Sequence, residues 1–116
     1  MEDRERYEFC MREAEDAYRE YEYYKSKSEE AYSNGEIYQR SAESHEYYGR
    51  EYDDEIHLRE ASEDRERAEM YFSDSENYRN EAAEYYDKYR SLGLKISYYR
   101  KLKGLTQESC AEYFLP

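Results

Sequence analysis

The feature that most constrains this chain is a seven-residue repeat carried by tyrosine and small side chains. Positions 7, 14, 21, 28, 35, 42, 49 and 56 hold Tyr, Ala, Tyr, Ser, Gly, Ala, Gly and Ile. Positions 10, 17, 24, 31, 38, 45 and 52 hold Cys, Ala, Tyr, Ala, Tyr, His and Tyr. The two series lie three and four residues apart, the spacing that puts side chains on one face of an α-helix. The positions between them are mostly Glu and Arg, as a solvated face requires. A small residue on one helix leaves room for a ring from the next, although each Ala or Gly buries little area and adds modest stability per turn.

Between Asp53 and Ala61 the phase slips by about one residue, the kind of offset that either rewinds a coil or marks a turn. Beyond the slip, Ala61, Ala68, Ser75, Ala82, Tyr89 and Ile96 form one series, and Tyr71, Tyr78, Tyr85, Leu92 and Tyr99 form its partner. Two further segments carry break signals. Ser33-Asn34-Gly35 reads as a turn, and Ser73-Asp74-Ser75-Glu76 reads as a helix N-cap with Glu three residues on. Used together, they divide the chain into helices of roughly 30, 37 and 18 or more residues, folded back as a bundle. The repeat nevertheless keeps its phase through Asn34 and Gly35. The expected fold is therefore all-α, an elongated helical bundle or helical hairpin with a Tyr/Ala seam. The alternative is a long continuous coiled coil, in which residues 2–90 would extend on the order of 130 Å.

Composition points the same way. Val is absent and Thr106 is the sole Thr, so the β-branched residues that strands favour are nearly missing. Charged residues make up 41% of the sequence and the formal net charge is -12, values also compatible with disorder, but 18 tyrosines at helical spacing argue for burial. There is no apolar run near the ~20 residues needed to cross a bilayer, and MEDRERYEF lacks the layout of a signal peptide, so a cytoplasmic location without membrane contact is expected. Cys10 and Cys110 form no CxxC and are expected as apolar packing residues.

At about residue 91 the composition changes, dividing an acidic Tyr-rich region, 1–91, from a second segment, 92–116. In the second segment Lys95, Arg100, Lys101 and Lys103 stand against Glu108 and Glu112; subtracting that +2 from the total of -12 leaves -14 on the first region. Ile96, Tyr99 and Leu102 share a helical face, Gly104 suits a C-terminal cap and Thr106 the N-cap of a following helix. With Leu92-Gly93, Gly104-Leu105-Thr106-Gln107-Glu108 and Ala111-Glu112, residues 92–115 resemble the opening of a xenobiotic-response-element (Cro and repressor-like) helix-turn-helix domain. The resemblance implies a short C-terminal helix pair and places Gln107 where that family often touches the phosphate backbone. Cys110 departs from the family's usual Leu. Base readout requires a recognition helix in the groove, which the residues through Pro116 do not supply, and an acidic chain is repelled by duplex DNA, so DNA binding by this chain alone is not expected.

Few residues are disposed for chemistry. His45 and His57 are the two imidazoles. Asp54-x-x-His57 followed by Glu60 aligns two carboxylates and an imidazole on one face, which is half of a di-iron bundle signature whose second half is missing. The histidines are expected as solvated or seam-edge residues, with no metal ligand and no cofactor assigned. Tyr18, Tyr21 and Tyr47 lie beside acids, as kinase substrates do, but so many tyrosines in an acidic chain make that match by chance. A Gly-rich phosphate loop, a nucleophile elbow and a Cys with a partner base are all lacking, so the chain reads as non-enzymatic. The function expected is interaction, scaffolding or oligomerisation, with Tyr7, Tyr21, Tyr24, Tyr38, Tyr52, Tyr71, Tyr78 and Tyr85 as a seam that self-associates or captures another helical protein. The alternative is a truncated regulator of the helix-turn-helix family, or a fragment associated with one.

Overall fold

The computed structural model describes residues 2–103. It contains two α-helices, α1 (Asp3–Glu51) and α2 (Glu55–Lys103), each of 49 residues, and no strand among the described residues. Acidic residues occupy both first turns, Asp3 and Glu5 in α1 and Glu55 in α2, where the helix dipole favours negative charge.

The reversal falls at the phase slip. Asp53 adopts a left-handed φ of 50°, and the Asp54 N–H donates to the Gly49 carbonyl at 2.9 Å, closing α1 with a six-to-one C-terminal bond. Asp54 then caps α2, its Oδ1 accepting the Ile56 N–H at 2.9 Å. Asp tolerates the left-handed region better than most residues and is also a strong N-cap, so two adjacent aspartates end one helix and start the next. This turn rules out a continuous coiled coil. The three-helix division also fails: α1 runs unbroken through Asn34 and Gly35, and α2 through residues 73–76. Gly35 is a buried packing position beside the Phe72 ring, and Ser75 is buried in the interhelical contact. Burial of these residues against the other helix outweighs their local turn preference.

The chain divides into two compact units. The first pairs the beginning of α1, through residue 23, with the part of α2 that starts at residue 81. Tyr7, Cys10, Met11, Ala14, Leu92 and Ile96 form its core, with the half-buried Tyr89 and Tyr99 packed against it. Tyr7 is 2% exposed, and burying each large side chain here contributes about 1.5–3 kcal/mol. Tyr18 meets Tyr89 and Tyr21 meets Tyr86, each with ring centroids 5.1 Å apart, while Lys88 Nζ lies 3.5 Å from Glu13 Oε2. Cys10 is a buried free thiol, a packing residue as expected; Cys110 lies outside the described residues. α2 passes residue 91 without interruption, so the first helix of the expected C-terminal pair is its final stretch; the second falls outside the described residues.

The second unit, Tyr24–Asn80, is a helical hairpin with a thinner core. Ala31, Gly35, Ala42, Gly49, Ala61 and Ala68 are buried along its facing surfaces. Rings fill the edges: Tyr24 against Tyr78 at 6.2 Å, Tyr32 against Phe72 at 5.3 Å, and Tyr38 stacked on Tyr71 at 5.6 Å with planes 9° apart. Ser28 and Ser75 exchange hydrogen bonds, each hydroxyl donating to the other's backbone carbonyl, at 3.0 Å from Ser28 and 2.8 Å from Ser75. Such reciprocal bonding lets two helices meet closely without an unsatisfied buried hydroxyl.

Candidate functional site

The packed faces of the second unit change character toward its turn, where polar side chains replace Ala and Tyr. In α1 the seam position is His45, one heptad after Tyr38. In α2, counting back by sevens from Tyr71 gives Asp64 and then His57. Reversal at 52–54 brings these seam positions face to face. His45 Nδ1 and His57 Nδ1 are 2.9 Å apart, with the rings stacked at 28° and their centroids 5.1 Å apart. At that distance one ring donates an N–H and the other accepts it.

Three carboxylates surround the pair. Glu60 Oε2 lies 3.3 Å from His45 Nδ1, on the side where the two imidazoles converge. Asp64 Oδ2 is 3.9 Å from His45 Nε2, and Asp54 Oδ2 is 3.9 Å from His57 Nε2. Both aspartates are anchored independently of the rings. Asp64, only 7% exposed, accepts the Ser41 hydroxyl at 2.6 Å on Oδ2 and the Arg67 guanidinium at 3.0 Å on Oδ1, so its buried charge is bonded and partly neutralised. Asp54 is held by its N-cap bond to Ile56. Arg67 also lies over the Tyr38 ring at 5.8 Å, and Arg65 pairs with Glu46 across the helices. His45, His57 and Glu60 place one ligand atom each within 4.8 Å of one another, close enough together to hold a metal ion.

This cluster was only partly visible in the sequence. Asp54, His57 and Glu60 stand out by spacing on one helix, but His45 joins them only once the turn is placed at Asp53 and Asp54. Asp64 was missed because a carboxylate at a seam position reads as solvated; its place in the seven-residue series was the available signal.

Of the tyrosines assigned to the seam, Tyr7 is buried and Tyr21, Tyr24, Tyr38, Tyr71, Tyr78 and Tyr85 are half-buried on the faces the two helices present to each other. Tyr52 lies 70% exposed at the turn, and Ile56, which closes the other series, is 64% exposed, because α1 ends at Glu51 and the reversal interrupts its register. Gln107 lies outside the described residues.

The first unit carries a second feature, an open groove of about 410 Å³ lined by Phe9, Leu94 and Tyr98 with Arg6 and Lys95 among its walls. Those three apolar side chains are 48%, 70% and 62% exposed. Among the described residues, no helix is long and apolar enough to cross a membrane.

Together these features define a small all-helical protein with a polar cluster set into a Tyr/Ala interface. The chain matches no protein-family model, no curated protein and no solved structure.

Proposed function

We propose that this chain is a non-enzymatic helical interaction protein that associates through the groove of its first unit, with a second copy of itself as the occupant. The observation that carries this reading is the exposed apolar trio Phe9, Leu94 and Tyr98, which stands outside the internally packed seam. Its cationic neighbours Arg6 and Lys95 favour an acidic helical partner, which this chain, with a net charge of -12, itself is. The seam proper, in this reading, holds the two helices of one chain together. The groove takes over the association role first assigned to the seam, in a cytoplasmic setting. Sedimentation equilibrium of the purified chain tests it: concentration-dependent self-association is expected, lost in Phe9→Glu/Leu94→Glu with helical circular dichroism retained. A wild-type chain that remains monomeric over the accessible concentration range refutes it.

The resemblance at 92–115 supports a second reading, a regulator of the helix-turn-helix repressor type. It ranks below the first because Leu92, Ile96 and Tyr99, the apolar face of that segment's first helix, pack with Tyr7, Cys10, Met11 and Ala14 of α1. A salt-sensitive gel shift with duplex DNA would favour this reading over the first.

A further inference from the structure

We infer that His45, His57 and Glu60 form a binding site for one divalent transition-metal ion of the zinc class, with Asp64 and Asp54 orienting the two imidazoles. Borderline ions of this kind prefer imidazole nitrogen supplemented by carboxylate oxygen, whereas Mg²⁺ and Ca²⁺ prefer oxygen alone. Two imidazoles and one carboxylate converge here from two helices.

The separations from His45 Nδ1 fit. Ligand atoms bound tetrahedrally at about 2.0–2.1 Å from zinc lie about 3.3 Å from one another. Glu60 Oε2 is already 3.3 Å from His45 Nδ1, and the two Nδ1 atoms, at 2.9 Å, need to separate by only a few tenths of an ångström. Ion binding replaces the shared imidazole hydrogen bond: the donor ring's proton moves by exchange with solvent from Nδ1 to Nε2, with no net proton lost, and both Nδ1 lone pairs turn to the ion. Each ring then carries its proton on Nε2, and each Nε2 faces a carboxylate, Asp64 for His45 and Asp54 for His57, both at 3.9 Å. A carboxylate behind a ligating imidazole fixes its tautomer and raises its basicity. The Ser41 hydroxyl and the Ile56 N–H hold those carboxylates in place. Glu60 is exposed, leaving the ion a path from solvent and the fourth coordination position to water.

The test uses the full chain, stripped with a chelator and titrated with Zn²⁺ by isothermal calorimetry, with the imidazole nitrogens followed by ¹⁵N NMR. One ion per chain is expected, with the Nδ1 signals of both histidines moving on binding. His45→Gln and His57→Gln should each weaken binding at least ~10-fold, and Asp64→Asn about 10–100-fold. Glu60→Gln, at an exposed position, should weaken it with helical content unchanged, so the proposal does not depend on the histidine variants folding. At equal zinc concentration the melting temperature of the wild type should rise more than that of Glu60→Gln. Three results would each overturn the site: no saturable binding, one ion per two chains, or binding in which the Nδ1 signals stay fixed. Self-association through the groove is read separately, by sedimentation without metal, so either idea can fail alone.

Discussion

Replacing the helical glycines Gly35, Gly49 and Gly93 with alanine, one at a time, separates backbone propensity from packing. In a helix interior, Ala is favoured over Gly by about 0.8–1 kcal/mol, and with no other contribution all three variants would be stabilised by that amount. Their surroundings differ. A Cβ on Gly93 meets nothing within 4 Å, so Gly93→Ala should show the full gain, a rise of a few degrees in melting temperature. A Cβ on Gly49 would lie 2.7 Å from Leu58 Cδ2 and Cγ and 3.1 Å from the Leu58 backbone nitrogen, at the base of the hairpin. The backbone there is pinned by the Asp54-to-Gly49 hydrogen bond and the N-cap of α2, so the two helices cannot separate freely. Overpacking of this kind costs about 1–3 kcal/mol, which offsets the propensity gain and leaves Gly49→Ala neutral to about 2 kcal/mol less stable. Gly35 is intermediate: the atoms nearest its Cβ, at 2.7–3.0 Å, all belong to the Phe72 ring, and a half-buried ring can swing aside. Urea and thermal denaturation followed by circular dichroism should therefore rank the variants Gly93→Ala, Gly35→Ala, Gly49→Ala from most to least stable. Leu58→Ala should recover part of the Gly49→Ala loss in a double-mutant cycle. If Gly49→Ala is stabilised as much as Gly93→Ala, the close approach of the helices at the turn is not real and the reasoning fails.

Two further predictions follow from the polar contacts. Ser28→Ala and Ser75→Ala should each cost about 0.5–1.5 kcal/mol in urea unfolding, whereas the double variant, which extends the alanine lining on both helices, should cost less than the two singles combined; strict additivity would contradict the reciprocal pairing. Tyr18 donates its hydroxyl to Glu22, and that bond, reinforced by the carboxylate's charge, lifts the phenol above its ordinary value of 10.0. The contact therefore stabilises the fold below that value and is lost as pH rises through the raised one, and Glu22→Gln should lower the Tyr18 titration midpoint seen by ¹³C NMR of labelled rings.

The repeat of rings and small residues determines much of this protein by itself. A seven-residue spacing admits one solution, a helix with one packed stripe, and the stripe positions 7–49 and 61–99 are those the two helices turn toward each other. The phase slip also marked the correct place for a reversal, because a chain that turns back must restart its register. Tertiary structure decided which break signal was used. Asn34-Gly35 and Ser73–Glu76 carry local preferences worth about 1 kcal/mol or less, and burial of Gly35 and Ser75 against the opposite helix exceeds that. The same reversal decided the polar cluster. His45 and His57 are twelve residues apart in sequence, and although Asp54 and Glu60 flank His57 at helical spacing, nothing in α1 pointed to His45 as their companion. Only the hairpin, by setting the seam of α1 against that of α2, brings their ring nitrogens within hydrogen-bonding distance and Glu60 beside them. Spacing along a helix is local and can be read from sequence, whereas proximity between helices depends on where the chain turns.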